Sequence, residues 1–180
     1  MIGVGEKFPE FEMNGVIGNG GNADLPDHDF CTVNSWGLTD WSIIYFYPKD
    51  FTFICPTEIV AMDKLMNETT DIIGISGDNE YCKFAWRSEV EDSDLYAVEH
   101  VLAADCGLKL ASELGIVNEE EGVCYRATYI LDPEGIIRHV SVNELDTGRN
   151  AEEVRRTLKA LKAGGLTGCA WEEGQEFADA

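Results

Sequence analysis

The six cysteines are the residues of this chain best able to do chemistry, and their spacing restricts what that chemistry is. They are Cys31, Cys55, Cys82, Cys106, Cys124 and Cys169. No two of them have the C-x-x-C spacing of a zinc ribbon or a dithiol redox motif, and the three histidines show no metal-ligand spacing. We therefore predict that most of the cysteines are buried small hydrophobes in a reducing cell and that one or two are chemically active.

Cys55 is the cysteine whose neighbours favour a reactive thiolate. It directly precedes Pro56, which suits the first turn of a helix, and Glu58 suits the positive end of the helix dipole. The unpaired N–H groups of a helix N-terminus stabilise a thiolate, the form in which cysteine is a nucleophile. Three residues before Cys55, where a disulfide oxidoreductase has its second cysteine, stands Thr52. A single thiol beside a hydroxyl suits reduction of an O–O bond better than dithiol exchange.

Cys55 must be positioned by the elements on either side of it. Residues 42–47 are an almost wholly apolar run, which predicts a strand buried on both faces, and Pro48 ends it. After Cys55, apolar residues recur with helical spacing. Residues 71–76 predict a second buried strand and residues 79–89 a second helix. Cys55 therefore lies where a buried strand leads into a helix.

The second half of the chain predicts a hairpin followed by a helix. Residues 127–131 and 136–142 have the character of strands, and the turn sequence at 132–135 joins them. Residues 151–162 predict an amphipathic helix opened by Asn150.

The order of these elements predicts one α/β domain. Strand, helix, strand, helix, hairpin and final helix is the order of a thioredoxin-like fold, with a central mixed sheet flanked by helices. Residues 14–29, rich in Gly, Asn and Asp, predict a loop or an irregular hairpin. We expect residues 1–163 to form the domain and residues 164–180 to form a short, polar, mobile arm.

Length, composition and charge exclude several classes of protein. The 180 residues are enough for one domain with a substantial core, and an apolar content of 44% excludes intrinsic disorder as its main character. The formal charge of −21 argues against binding to nucleic acid or to an anionic membrane surface. No apolar run is long enough to span a bilayer, and the start of the chain lacks a signal-peptide pattern. A cytoplasmic protein is the expectation.

Residues 46–58, with the sequence FYPKDFTFICPTE, resemble the active-site motif of the typical two-cysteine peroxiredoxins. Residues 76–86 resemble the strand and helix that follow in that family, residues 121–135 the stretch with its active-site arginine, and residues 147–150 a second arginine segment. The likeness is strongest to the bacterial alkyl hydroperoxide reductase C group. It covers most of the chain.

The resemblance implies roles in peroxide chemistry for three residues. Cys55 would be the peroxidatic cysteine, which attacks one peroxide oxygen and becomes a sulfenic acid. Thr52 would hydrogen-bond the peroxide and hold it in line. Arg126 would stabilise the thiolate and the charge that develops as the O–O bond breaks.

The same resemblance implies four supporting residues. Pro48 would close the pocket against water, while Glu58 and Arg149 would pair and help to orient the catalytic arginine. Cys169 would be the resolving cysteine, forming a disulfide with the peroxidatic cysteine of a partner subunit. Trp171 follows it at a shorter spacing than in the family pattern.

The partners and cofactors follow from this chemistry. Direct peroxide reduction needs neither haem nor metal, so no cofactor is expected. The implied partners are a hydroperoxide substrate, a thioredoxin or flavoprotein disulfide reductase as electron donor, and a second copy of the chain in an obligate dimer, often assembled into a ring of five dimers. One alternative is a holdase chaperone or redox-relay protein that uses the same cysteine. Another, a disulfide oxidoreductase, is disfavoured because no C-x-x-C is present.

Overall fold

The computed structural model describes residues 1–18, 28–69, 71–88 and 94–178 of the chain. Within these residues, seven strands form one sheet, two short strands form a separate pair, and four α-helices accompany them. The strands are β1 (Glu12–Gly18), β2 (His28–Asn34), β3 (Ser42–Phe46), β4 (Asp71–Ser76), β5 (Val101–Ala104), β6 (Val117–Asn118), β7 (Val123–Cys124), β8 (Arg126–Leu131) and β9 (Ile137–Asn143). The helices are α1 (Cys55–Asp63), α2 (Glu80–Ser88), α3 (Lys109–Leu114) and α4 (Ala151–Ala163).

The large sheet is mixed, with the strand order β2-β1-β5-β4-β3-β8-β9. Strand β4 pairs in parallel with β3 on one side and with β5 on the other. The remaining neighbouring pairs of the sheet are antiparallel. The parallel strands at the centre are the ones with nearly continuous apolar sequences, because helices and loops cover both of their faces. The predicted thioredoxin-like architecture is confirmed.

Strand β3 supplies side chains to two separate apolar clusters. Ile44 and Phe46 belong to one cluster, and Ile43 and Tyr45 belong to the other. Successive side chains of a strand point to opposite faces of the sheet, so the two clusters lie on opposite faces. Cys55 packs in the second cluster together with the buried face of α1. The candidate thiol is therefore part of one half of the core.

Several predicted elements appear close to their expected bounds. Strand β3 ends one residue earlier than predicted, and β4 coincides with residues 71–76. The turn at 132–135 joins β8 and β9, with Gly135 in the left-handed region at φ 76°. The Asn150 side chain caps α4 by accepting hydrogen bonds from two backbone N–H groups.

Two further predictions concern segments that are only partly described. Of the two alternatives predicted for residues 14–29, the hairpin is supported, because β1 and β2 pair antiparallel from Glu12 opposite Asn34 to Gly18 opposite His28. Residues 19–27 of that segment lie outside the described residues. The second helix runs over Glu80–Ser88, and residue 89, where it was predicted to end, is also outside them.

The arm after α4 makes specific contacts. Gly164, at φ 69°, caps the helix at the predicted domain boundary. Trp171 is buried, its backbone oxygen accepts a hydrogen bond from Arg156 at 3.2 Å, and its ring stacks on Phe177. Lys159 pairs with Glu173 at 2.8 Å. The arm was predicted to be polar, but it buries the aromatic side chain of Trp171. Its mobility stays a prediction.

Within the residues that the structure describes, no helix combines the length and apolar character needed to cross a membrane.

Candidate active site

Helix α1 begins at Cys55 itself. Pro56 lies in its first turn, where the missing N–H costs no helical hydrogen bond, and Glu58 is the acidic residue of that turn. The N-cap residue Ile54 provides no side-chain cap, and its carbonyl accepts hydrogen bonds from the backbone N–H groups of Thr57 and Glu58. The predicted position of the thiol at a helix N-terminus is confirmed.

Arg126, the first residue of β8, binds the thiol directly. Its Nη1 donates to Cys55 Sγ at 3.4 Å, and its Nε donates to the Leu145 carbonyl at 2.8 Å. Arg126 and Cys55 are both buried, and Cys55 is only 1% exposed. Burial alone would lower the pKa of Arg126, but its bonds to Cys55 and Glu58 outweigh that effect and raise it. The cation beside the sulfur is therefore permanent.

A single carboxylate links two arginines at this site. One Glu58 oxygen contacts Arg126 Nη1 at 2.5 Å, and the other accepts hydrogen bonds from the Nε and the backbone N of Arg149, both at 2.9 Å. We call Cys55, Glu58, Arg126 and Arg149 the thiol cluster. Because the cluster has two cations and one carboxylate, it becomes electrically neutral when Cys55 is a thiolate. A buried group of charges is least costly when it is neutral, and the two guanidinium groups leave one positive charge that the single carboxylate does not balance.

Arg149 is held in place by the sheet. Its Nη1 donates to the Ala127 carbonyl and to Thr128 Oγ1, each at 3.1 Å, and its Nη2 donates to the Phe46 carbonyl at 2.5 Å. Its guanidinium also lies over the Tyr45 ring, 4.9 Å from the centroid. The loop before α4 is thereby joined to β3 and β8, and Glu58 receives a rigid partner.

Pro48 and Thr52 belong to the segment that connects β3 to α1. Pro48 is half-buried, and the Thr52 hydroxyl donates to the Lys49 carbonyl at 2.9 Å. Phe51 between them has φ 55°, a left-handed conformation that is unusual for a bulky residue. Thr52 lies outside α1, in the segment that precedes the helix.

Cys169 lies in the C-terminal arm and is exposed, whereas Cys55 is buried. Both are free thiols. The arm that carries Cys169 contacts α4, because Arg156 Nη1 donates to the Trp171 backbone oxygen at 3.2 Å. The structure thus brings four of the seven candidate residues together by direct contacts, places Pro48 and Thr52 on the adjoining segment, and leaves Cys169 on the arm.

The prediction that the other cysteines are mostly buried is wrong for three of them. Cys124 is buried, and burial raises its pKa to about 12. Cys31 and Cys82 are partly exposed and Cys106 is exposed. Cys31 lies in the edge strand β2, Cys82 in helix α2 and Cys106 in the turn before α3. The apolar patterns of these segments are too short to show which side of each segment is buried.

The sequence did not reveal a buried polar network beside the site. It surrounds Asp50, which belongs to the segment between β3 and α1, and it includes Lys83 of α2. Lysine is rarely buried, so a lysine in a helical pattern predicts an exposed position. The available signal was its spacing from Trp86 and Arg87, three and four residues later, which are buried on the same side of α2.

Comparison with known proteins gives consistent results. The model of the AhpC/TSA family matches residues 4–140. The chain is 38% identical over 182 aligned residues to alkyl hydroperoxide reductase C of Mycolicibacterium smegmatis, covering 97% of this chain and 92% of that protein. The structure of AhpC from Mycobacterium tuberculosis aligns with a TM-score of 0.81 at 36% identity, covering 96% of this chain and 99% of that one. AhpC from Enterococcus faecalis aligns with a TM-score of 0.81 at 29% identity, covering 99% of this chain and 100% of that one.

Proposed function

Because the chain belongs to the AhpC/TSA family and is a thiol-dependent peroxidase, we propose that it reduces hydrogen peroxide and organic hydroperoxides at Cys55. The observation that carries this proposal is the 3.4 Å contact between Arg126 Nη1 and the Cys55 sulfur inside a buried cluster. A permanent cation is what a nucleophilic thiolate and a developing alkoxide both require.

The first step is a displacement on oxygen. The Cys55 thiolate forms an S–O bond with the terminal peroxide oxygen while the O–O bond breaks, and the leaving alkoxide or hydroxide takes up a proton. The sulfur loses two electrons and becomes a sulfenic acid. Arg126 stabilises the negative charge as it moves from sulfur to the leaving oxygen. Thr52 turns its hydroxyl from the Lys49 carbonyl to the peroxide, and Pro48 shields the sulfur from water.

The second step is resolution by another thiol. The Cys169 thiolate of a second copy attacks the sulfenic sulfur, the S–O bond breaks, the leaving hydroxide takes up a proton to become water, and an intersubunit disulfide with Cys55 results. Support for this assignment comes from the exposure of Cys169 and its position on an arm beyond the last helix. A thioredoxin or a flavoprotein disulfide reductase then supplies two electrons and restores both thiols.

This scheme implies an oligomeric state, a class of partners and a cellular compartment for the enzyme. Resolution between two chains requires a homodimer, and we propose assembly into a ring of five dimers. The charge of −21 disfavours nucleic acids and anionic membranes as partners. The six free cysteines fit the cytoplasm, where thiols are kept reduced.

Peroxide consumption by the purified protein with dithiothreitol tests the function. Cys55→Ser should abolish turnover, because the serine hydroxyl stays protonated near neutral pH. The matched variant Cys169→Ser should keep turnover under these conditions, since dithiothreitol reduces the sulfenic acid directly. Turnover by Cys55→Ser, or its loss in Cys169→Ser alone, would overturn the assigned roles. The assay also separates a peroxidase from a holdase chaperone or redox relay, which need not consume peroxide catalytically.

Peptide mapping tests the pairing of the cysteines. Mild peroxide should give a covalent dimer on a non-reducing gel, with Cys55 linked to Cys169. A link from Cys55 to Cys31, Cys82, Cys106 or Cys124 would contradict the choice of resolving cysteine. A monomer with an internal link between Cys55 and Cys169 would contradict only the intersubunit step.

A further inference from the structure

A buried lysine lies behind the segment that carries Pro48 and Thr52. The Lys83 side chain is 0% exposed, and its ammonium group donates to Ser76 Oγ at 2.6 Å and to the Tyr47 hydroxyl at 3.0 Å. It also lies 3.4 and 3.5 Å from the two carboxylate oxygens of Asp50. Since a buried charge is costly without partners, this geometry ties α2 firmly to the segment after β3.

Asp50 is held on both its side chain and its backbone. The Tyr47 hydroxyl donates to Asp50 Oδ1 at 2.8 Å, and the Asp50 backbone N donates to Asp78 Oδ2 at 2.8 Å. Burial raises the pKa of Asp50, and Lys83 opposes that rise. Burial also raises the pKa of Tyr47 well above its ordinary value, so its hydroxyl keeps the proton that it donates.

The backbone next to this anchor is strained. Phe51 follows Asp50 directly with φ 55°, and the Thr52 hydroxyl returns to the Lys49 carbonyl. A bulky residue keeps a left-handed conformation only where its surroundings impose it. The Lys83–Asp50 pair supplies that constraint one residue away.

We propose that Lys83 is a positioning residue for peroxide reduction: through Asp50, it sets the positions of Pro48 and Thr52 relative to Cys55. This inference rests on the proposed function, in which those two residues meet the peroxide. Lys83 does not touch the thiol cluster in any contact of the described structure, so its effect reaches the reaction through the 48–52 segment.

The same surroundings explain an apparent metal site. Ligand atoms of Asp50, Asp78 and Cys82 lie within 4.8 Å of one another. The Lys83 ammonium already lies 3.4 Å from Asp50, so a divalent ion would meet a fixed positive charge. Burial and the two carboxylates raise the pKa of Cys82 to about 11, which keeps it a thiol. The cation of this cluster is Lys83.

The test compares two reactions of Cys55 in Lys83→Met, which keeps the length of the side chain and removes its charge. The second-order rate of Cys55 oxidation by hydrogen peroxide should fall by about tenfold or more, because misplaced positioning groups slow an aligned displacement. The rate of Cys55 alkylation by iodoacetamide should change by less than about twofold, because alkylation reports the thiolate and not the peroxide site. The matched control Lys109→Met, at an exposed lysine, should leave both rates unchanged.

A pH profile separates positioning from general damage. Without Lys83, the Asp50 carboxyl faces Asp78, Tyr47 and Cys82 and has no cation, so its pKa rises further. The oxidation rate of Lys83→Met should therefore fall as pH rises through that pKa, because an ionised Asp50 leaves its buried position. The double variant Lys83→Met/Asp50→Asn removes this titration, and its rate should lie between those of the single variant and the parent protein.

These outcomes are distinguishable from a failure of the proposed function. If the parent protein does not oxidise at Cys55 with peroxide, the function itself is wrong. If the parent reacts and Lys83→Met reacts equally fast, the positioning role is wrong. Should Lys83→Met fail to fold, the double variant carries the test alone, and a rate equal to that of the parent would refute the role.

Discussion

Nη1 of Arg126 lies 3.4 Å from the sulfur of Cys55 while the same nitrogen contacts the carboxylate of Glu58. One guanidinium thus contacts both the buried sulfur and a buried carboxylate, and Arg149 supplies the second cation that the carboxylate needs. The Cys55 sulfur and the buried ion pairs therefore form one connected network, and a change in any member affects the others.

The first prediction concerns the cation itself. Arg126→Ala should move the pH midpoint of Cys55 alkylation by iodoacetamide to higher pH, because the thiolate loses its adjacent positive charge. Arg126→Lys should restore the midpoint only in part, since an ammonium cannot contact the sulfur and Glu58 with the same planar geometry. Arg138→Ala removes a half-exposed arginine and should leave the midpoint unchanged. An unaltered profile in Arg126→Ala would show that this arginine does not stabilise the thiolate.

The second prediction concerns the stability of the cluster. Glu58→Gln leaves two buried guanidinium groups without their carboxylate, so the free energy of unfolding should fall by about 3–5 kcal/mol. Urea denaturation of the reduced protein measures this change. Glu153→Gln breaks an exposed pair with Arg156 and should cost less than about 1 kcal/mol. Equal losses in the two variants would mean that Glu58 is not a buried structural anion.

The third prediction concerns the far end of α1. Asp63, its last residue, accepts from His100 Nδ1 at 2.6 Å, and His100 Nε2 lies 2.7 Å from the Tyr45 hydroxyl. Burial lowers the pKa of His100 in spite of its bonds to Asp63, so the neutral ring is the folded form. For Asp63, burial acts to raise the pKa, but hydrogen bonds from His100 and two backbone groups outweigh it and lower the pKa.

These shifts fix the sign of the pH dependence. The unfolded chain binds a proton on His100 near pH 6.5, above the folded pKa, so stability should decline as pH falls below about 6.5. Asp63 adds a further loss at lower pH, as its carboxylate becomes protonated. His100→Gln should remove part of this decline in urea denaturation curves. Burial also lowers the pKa of His139, so His139→Gln should remove a separate part of the decline in the same pH range. A decline unchanged by His100→Gln would refute the assignment.

The centre of the fold was predictable because its signals are local and strong. Strands β3 and β4 are continuous apolar runs, and Pro56 and Glu58 mark the start of α1. Strand β5 and helix α3 escaped prediction because four and six residues are too short to establish a period. The β1–β2 hairpin was predicted only as one of two alternatives, because glycine and asparagine are frequent in that segment and cross-strand pairing is not a local property.

The residues of the candidate site were also only partly predictable from local sequence. Cys55 could be identified from its neighbours, but Arg126 and Arg149 lie 71 and 94 residues further along the chain, and only the family resemblance identified them. Asp50 and Lys83 lie in segments that resemble the family, but neither the local pattern nor the resemblance predicted that they pair. Their pairing depends on α2 packing against the segment after β3, which no pattern of residue types specifies.

The last prediction concerns excess peroxide. Cys55 is 1% exposed, so its sulfenic acid meets Cys169 only after the first turn of α1 opens. The start of that turn has no side-chain cap from Ile54, and Phe53 beside it is 94% exposed, so opening of the residues ahead of Glu58, with its ion pairs kept, should cost little free energy. The disulfide should therefore form before a second peroxide oxidises the sulfenic acid, and the enzyme should resist inactivation. Mass spectrometry of Cys55 after turnover in rising peroxide measures the sulfinic fraction, which Cys169→Ser should increase strongly. Sulfinic acid that accumulates in the parent protein at low peroxide, ahead of the disulfide, would show that other contacts hold the first turn closed.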